Sequence, residues 1–317
     1  MSITVVGSIA YDTVKTPFGE RERMLGGAAT HFALAASFFD EVRVVGPVGD
    51  DFGERQLQIM GTRGVQLGDV ERVAGGKTFF WHGEYGWDLN SRDTLDTQLG
   101  VFEGFQPKLS EDSRASDVLF LANIQPDLQR DVREQLPEAK FVALDSMNLW
   151  IEIARDSLLS AIKSVDCLIL NDAELRQLTE KPNLVSAARE ILSWGPPAPS
   201  VIVAKQGEYG AALITREGFF ALPAYPLETV IDPTGAGDTF AGGFVGYIAA
   251  ALANGTAATN GDRALPDELL RRAMAHATVL ASFNVEEFGT ERVTRLTRPE
   301  IDARLTELHA ITQFSGV

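Results

Sequence analysis

The sequence predicts an α/β protein: a doubly wound, mostly parallel sheet with helices on both faces, plus a small antiparallel β lid. Three observations carry this. Short β-branched apolar runs alternate with helical patterns, as βαβ units require. The runs are almost continuously apolar, as strands covered on both faces are. One region, 66–105, breaks the alternation. With 317 residues, 45% hydrophobic and 23% charged, the chain has the composition of a globular protein with a large core.

The first strand is ITVVGSI, the first helix AATHFALAASFF and the second strand VRVVGPVG, followed by a helix over Phe52–Arg63. The alternation resumes with DVLFLAN, a helix around Gln129–Gln135, KFVALDS, a helix around Asp156–Ile162, DCLILN, two helices through Trp194, and SVIVAK. A β-rich segment (AALIT, GFFAL, ETVID) precedes three helical patterns, Thr239–Ala253, Pro266–Phe283 and Arg298–Leu308. The exception, Gln66–Phe105, holds VERVAG and KTFFWHGEY among Gly, Asp and Asn punctuation, with only a weak helical pattern at TLDTQLGVF. Such a stretch predicts a small antiparallel insert. The hairpin-like YDTVKTPFGERER is expected to join it, giving one domain over 1–317 whose lid is discontinuous, about 11–23 and 66–105. Along KTFFWHGEY, Phe79, Trp81 and Tyr85 share one strand face and Phe80, His82 and Glu84 the other.

Charge and cysteine content narrow the partners. Lys plus Arg total 28 against 44 Asp plus Glu, a formal charge of -16, which repels nucleic acid and anionic membranes. A small polyanion stays compatible with this if a metal ion and backbone N–H groups receive it. The single cysteine, Cys167, lies in the apolar CLIL, so neither a disulfide framework nor a cysteine metal site is expected, and a reducing compartment is. Only four His are present, without zinc spacing. MSITVVGSIAYDTV lacks a basic flank, and no segment approaches the ~20 apolar residues of a membrane span. The expectation is a cytoplasmic protein.

The stretch richest in chemistry is DPTGAGDTF, residues 232–240, in front of an apolar helix. Gly235 and Gly237 let successive N–H groups form a nest for an anion, reinforced by the positive end of the helix dipole. Asp238 falls in the first helical turn, where an ionised carboxylate is favoured and can accept a proton from a nearby hydroxyl. An anion hole beside a base suits phosphoryl transfer; the plainer alternative is a glycine-rich turn with Asp238 as a helix-capping acid. Two rival phosphate motifs fail: G-x-G-x-x-G would need Gly where Phe240 stands, and a Walker loop ending in Gly76-Lys77-Thr78 would need Gly at Glu71.

CLILNDAEL ends a strand with Asn171 and Glu174 three residues apart on one face. The pair could hold the water shell of a Mg²⁺ bound to a triphosphate, or form a capping box. VIVAKQGEYGAALIT presents Lys205, Gly207 and Gly210 between two strands, either as a nucleotide-lining loop or as an ordinary hairpin. Asp12, in GSIAYD, follows a strand's C-terminal end, where ligands bind in open α/β sheets, and can accept hydrogen bonds from substrate hydroxyls. Gly26 and Gly27 permit close backbone approach at a second helix N-terminus. His31 is expected on a helix face. Asn123, Gln125 and Asn148, near later strand ends, are further partners for hydroxyls.

Together, DPTGAGDTFAGGF, NDAE, AKQGEYG, GSIAYD and GGAATHFALA, in this order and over essentially the whole chain, resemble the ribokinase, or phosphofructokinase-B, family of ATP-dependent carbohydrate and nucleoside kinases. The resemblance implies a ribokinase-like fold and an ATP-dependent kinase with a sugar-like acceptor. Asp238 would be the base and the backbone of Gly235, Ala236 and Gly237 the anion hole. Asn171 and Glu174 would organise Mg²⁺, Glu174 through water, while Lys205, Gly207, Gly210 and Thr234 would line the nucleotide. Asp12, Gly26, Gly27, His31 and Asn123 would hold the acceptor. Asp232 and the neighbourhood of Ser282–Gly289 would flank a K⁺ ion in members that use one, and the insert matches the family's lid. The family often carries Asn where His31 stands, which leaves the acceptor open. A nucleoside kinase, a non-catalytic metabolite-binding member and another enzyme class on the same architecture are the alternatives. The aromatic lid face could be a platform for a base or a homodimer contact.

Overall fold

The computed structural model describes residues 1–255 and 265–313. The chain opens with β1 (Ser2–Val6), β2 (Ala10–Thr16), β3 (Gly19–Gly26), α1 (Ala28–Ala36), β4 (Glu41–Gly49), α2 (Glu54–Thr62) and β5 (Gln66–Val73). A hairpin of β6 (Phe79–Tyr85) and β7 (Arg92–Gln98) and the short α3 (Glu111–Arg114) lead into β8 (Val118–Leu121), α4 (Pro126–Gln135) and β9 (Phe141–Asp145). Next come α5 (Asn148–Ile153), α6 (Arg155–Ile162), β10 (Cys167–Asn171), α7 (Asp172–Thr179), α8 (Leu184–Leu192) and β11 (Val201–Lys205). The chain finishes with β12 (Ala211–Thr215), β13 (Phe219–Leu222), α9 (Ala236–Ala253), α10 (Asp267–Asn284), α11 (Glu291–Arg295) and α12 (Arg298–Thr312).

Nine strands form one sheet in the order β13-β12-β11-β10-β9-β8-β1-β4-β5. Strands β5 to β11 within it pair in parallel, and β12 and β13 add an antiparallel edge. Alternate side chains of each central strand enter opposite cores, because successive Cβ atoms point to opposite faces. Ile3, Val5, Phe120 and Ile169 pack with α1, α9 and α10. Val6, Leu121, Leu144 and Leu170 pack with α4, α6, α7 and α8. Cys167 is fully buried, as expected. By length and composition α9 could cross a bilayer; here it lies between α1 and α10 as a core helix.

The small sheet has the order β3-β2-β6-β7. Its outer pairs are antiparallel and its central pair, β2 with β6, is parallel. Three local expectations are corrected. Gln66–Val73 lies not in the lid but on the edge of the large sheet, beside β4. The weak helical pattern at 94–102 is mostly strand β7 followed by one tight turn, Gly100–Phe102; every residue of β7 is exposed, so no buried face imposes a strand period on it. ETVID forms no strand, because the N–H groups of Ile231 and Asp232 both point to the Val285 carbonyl, at 2.8 and 3.4 Å, instead of to a ladder.

Candidate active site

The C-terminal ends of β9, β10 and β11 deliver Asp145, Asn171 and Lys205 to one edge of the sheet, where ligands bind in this architecture. Opposite them stands the N-terminus of α9, and the small sheet covers the gap with Asp12 on β2 and Arg92 at the start of β7.

Gly235 is the N-cap of α9, at φ 73° and ψ 1°. A Cβ there would stand 2.3 Å from the His31 ring, so the loop needs glycine for both its dihedrals and the approach of the imidazole. His31 Nδ1 lies 3.2 Å from Asn284 Oδ1, which also accepts from Thr239 Oγ1 at 3.0 Å, while Asn284 Nδ2 donates to the Thr234 carbonyl at 2.8 Å. The last bond fixes the amide, so His31 donates through Nδ1 and its Nε2 is a buried acceptor without a protein partner. Burial keeps this imidazole neutral, its pKa pushed down to about 4. His31 lies on a face of α1, as expected, and that face is buried, which makes it a support of the loop.

Asp232 is fully buried and accepts from Thr234 N–H and Gly289 N–H, each at 2.9 Å, tying the glycine loop to the segment after α10. Ala236 N–H turns back to the Pro233 carbonyl at 3.2 Å. Among the described residues, the N–H groups of Gly235 and Gly237 have no protein acceptor and remain for an anion.

Asp238 follows in the first turn of α9. Burial, then the charge of Asp145, raises its pKa to about 7, against the pull of Lys205 and Arg92. Lys205 Nζ lies 2.9 Å from Asp145 Oδ2, with side-chain exposures of 18% and 5%. Burial alone would lower the Lys205 pKa, but Asp145, Glu174 and Asp238 hold it above its ordinary value. Asn171 and Glu174 form a capping box: Glu174 N–H donates to Asn171 Oδ1 at 2.8 Å and Asn171 N–H to Glu174 Oε2 at 2.9 Å. Burial, then the net of Lys205 and Asp145, leaves Glu174 with a pKa of about 7.

Asp12 stands over Gly26, where a Cβ would come within 1.9 Å of its Oδ2. Burial raises its pKa to about 7, and Asp232 and Asp238 add to this while Gly27 N–H and Arg92 oppose it. The small sheet packs against the loops of this site. Tyr85, Val14 and Phe288 form a small core with Trp81, Met24 and Ile231, and the Thr234 hydroxyl lies 3.3 Å from that of Tyr85. At the hairpin tip, Asn90 Nδ2 donates to Glu208 at 3.0 Å, beside Gly207 and Gly210.

The structure therefore brings together Asp12, Gly26, Gly27, His31, Asn171, Glu174, Lys205, Asp232, Thr234, Gly235, Gly237 and Asp238 around one cleft. Asn123 is less committed to it, since its Oδ1 accepts from Trp150 Nε1 at 2.9 Å. Sequence reasoning missed Asp145, Arg92 and Asn284. Asp145 had a usable signal, an acid ending a buried strand, the same signal that marks Asn171. Asn284 fell inside the 282–289 neighbourhood only as part of a loop beside K⁺, and Arg92 had no signal.

Among the described residues no three acidic, His or Cys side chains cluster to ligate a metal directly.

A buried carboxylate beside two open N–H groups and a buried lysine at a helix N-terminus, under a small sheet, is an arrangement suited to phosphoryl transfer. The chain belongs to the pfkB family of carbohydrate kinases, whose profile matches residues 2–295, and it is an ATP-dependent kinase of that class. It is 30% identical over 255 residues to a cytidine kinase of Thermococcus kodakarensis, covering 78% of this chain and 88% of that protein. Among solved structures it resembles a ribokinase from Giardia lamblia, with a TM-score of 0.79 at 20% identity over 96% of this chain and 98% of that one. A nucleoside kinase of Burkholderia thailandensis in complex with inosine superposes with a TM-score of 0.73 at 20% identity, over 97% and 98% of the two chains. These two likenesses speak for the ribokinase-like fold.

Proposed function

We propose that this kinase transfers the γ-phosphoryl group of ATP to a hydroxyl of a small sugar-like acceptor in the cytoplasm, with Asp238 as the base. The observation that carries the reading is the Asp238 carboxylate held beside the free N–H groups of Gly235 and Gly237. The acceptor oxygen bonds to the γ-phosphorus as the bond to the β,γ-bridging oxygen breaks, that electron pair leaving with ADP and the hydroxyl proton passing to Asp238. The Gly235 and Gly237 amides and the α9 dipole receive the migrating charge. Asp12 orients acceptor hydroxyls, with Gly26 and Gly27 giving them room. Lys205, Gly207, Gly210 and Thr234 border the nucleotide side, and Asn171 and Glu174 would hold a Mg²⁺ accompanying it, whose chemistry would be to neutralise phosphate charge. Asp232 acts first as the two-loop clamp, and the lone pairs its carboxylate has left are our candidate for K⁺. Exchange of K⁺ for tetramethylammonium tests that use.

A nucleoside acceptor is the second reading, favoured by the cytidine kinase relative. Against it, Tyr85 is packed on Phe288 and Ile231 and offers no open aromatic platform. ADP release measured with ribose, fructose, inositol, cytidine and adenosine decides between the two. We also place a homodimer contact on the lid, whose edge strand β7 is exposed along its whole length, Leu95 included.

A further inference from the structure

Lys205 borders the nucleotide side, and its ammonium also reaches beyond its own strand. It is the last residue of β11, in register with Asn171 on β10, and its side chain passes β10 to reach Asp145 on β9. Its Nζ lies 3.1 Å from the point that a Cβ on Gly237 would occupy. The ammonium therefore stands next to the Cα face of Gly237 on one side and is bonded to Asp145 on the other. Of its three N–H donors, one serves Asp145 at 2.9 Å, which leaves donors for oxygens entering above Gly237. Folding stability does not account for such a pair, since a buried ion pair gains little over an apolar pair of the same volume.

The transfer reaction puts charge where this ammonium stands. As the γ-phosphoryl leaves ADP for the acceptor oxygen, negative charge spreads over its equatorial oxygens. Two backbone amides and a helix terminus offer only partial charges, whereas a full cation fixed in a buried site needs no reorganisation at the moment of reaction. We propose that Lys205 is a catalytic residue whose ammonium stabilises the migrating phosphoryl group above Gly237, and that Asp145 is the positioning residue that holds it there. The proposal deepens the kinase reading and rests on it.

The test uses the full-length protein, the acceptor that the panel turns over fastest, and ADP as the binding probe. Lys205→Met lowers kcat by about 10²–10³-fold, the effect of losing one transition-state donor, while the Kd for ADP changes by less than about tenfold. Lys205→Arg restores at least part of kcat. Lys205→Met combined with Asp145→Asn removes the uncompensated carboxylate, so it recovers thermal stability but stays as slow as Lys205→Met alone. Asp145→Ala lowers kcat without weakening ADP binding, and Asp145→Asn, whose one amide oxygen can take the place of Oδ2 as the acceptor from Nζ at the expense of the Ser146 N–H bond to Oδ1, restores part of it. The proposal is overturned if the double variant turns over at the wild-type rate, or if Lys205→Met raises only the KM for ATP. A wild-type protein that transfers phosphoryl to no acceptor overturns the kinase reading and this inference with it, a failure recognisable before any variant is made.

Discussion

Gly235→Ala perturbs the anion hole by a single methyl group. The residue sits at φ 73°, where a non-glycine residue costs about 1–2 kcal/mol. The new Cβ would lie 2.3 Å from His31 Cε1 and Nδ1, so a separation of at least about 1 Å more is needed for ordinary packing, an overpacking cost of about 1–3 kcal/mol. His31 cannot yield easily, being 2% exposed and bonded to Asn284, which also holds Thr234 and Thr239. The displacement therefore falls on the 234–237 backbone, and a misplacement of about 1 Å costs about 10² in rate. The total of about 2–5 kcal/mol corresponds to a fall in Tm of about 4–10 °C. Coupled ADP release gives kcat, and a thermal melt gives Tm. Adding His31→Ala removes the obstacle but not the dihedral cost, so the double variant recovers part of both quantities. Wild-type kcat and Tm in Gly235→Ala alone would show that the loop is not held by the His31–Asn284 network.

Glu174→Gln keeps the capping-box geometry but removes the charge; we expect a raised Mg²⁺ requirement and a lower rate, and an unchanged Mg²⁺ titration would leave Glu174 as a helix cap only. Asp238 must be ionised to act as base, so with its pKa held up near 7, chiefly by burial, kcat/KM should fall about tenfold per pH unit below that value and level off above it. The raised carboxyls of Asp12, Glu174 and Asp238 give the folded protein more bound protons than the unfolded chain between their ordinary values and about 7. They penalise folding fully above that window and less as pH falls through it, so the free protein should melt higher at about pH 5.5 than at about pH 7.5; the reverse order would contradict their burial as charged groups. Leu95→Lys, on the exposed edge of the lid, should shift sedimentation from dimer to monomer, whereas a monomeric wild type would remove the lid contact.

The sheet was legible because its central strands are buried on both faces, so CLILN and VIVAK announce themselves by composition alone. Their terminal residues, Asn171 and Lys205, then marked the ligand edge. Gly235, Gly237 and Asp238 were legible for a local reason, since a nest and a first-turn carboxylate are built within one stretch of chain. What could not be seen was made by distant pairing. His31 meets Asn284 across 253 positions, and nothing near either residue signals the other. Arg92 lies in an exposed strand whose sequence, RDTLDTQ, carries no buried face, and only the fold of the lid sets its charge near Asp12, Glu174 and Asp238. VERV was placed in the lid because a strand's sequence does not state its partner, and β4 captured it in parallel.

The most direct test of the central claim is transfer of the labelled γ-phosphoryl group of ATP to the preferred acceptor by wild type and Asp238→Asn, with the acceptor saturating. If Asp238 is the base, the variant binds ADP as wild type does and forms phosphorylated acceptor about 10²–10⁴ times more slowly. Near-wild-type product formation by the variant would contradict the mechanism.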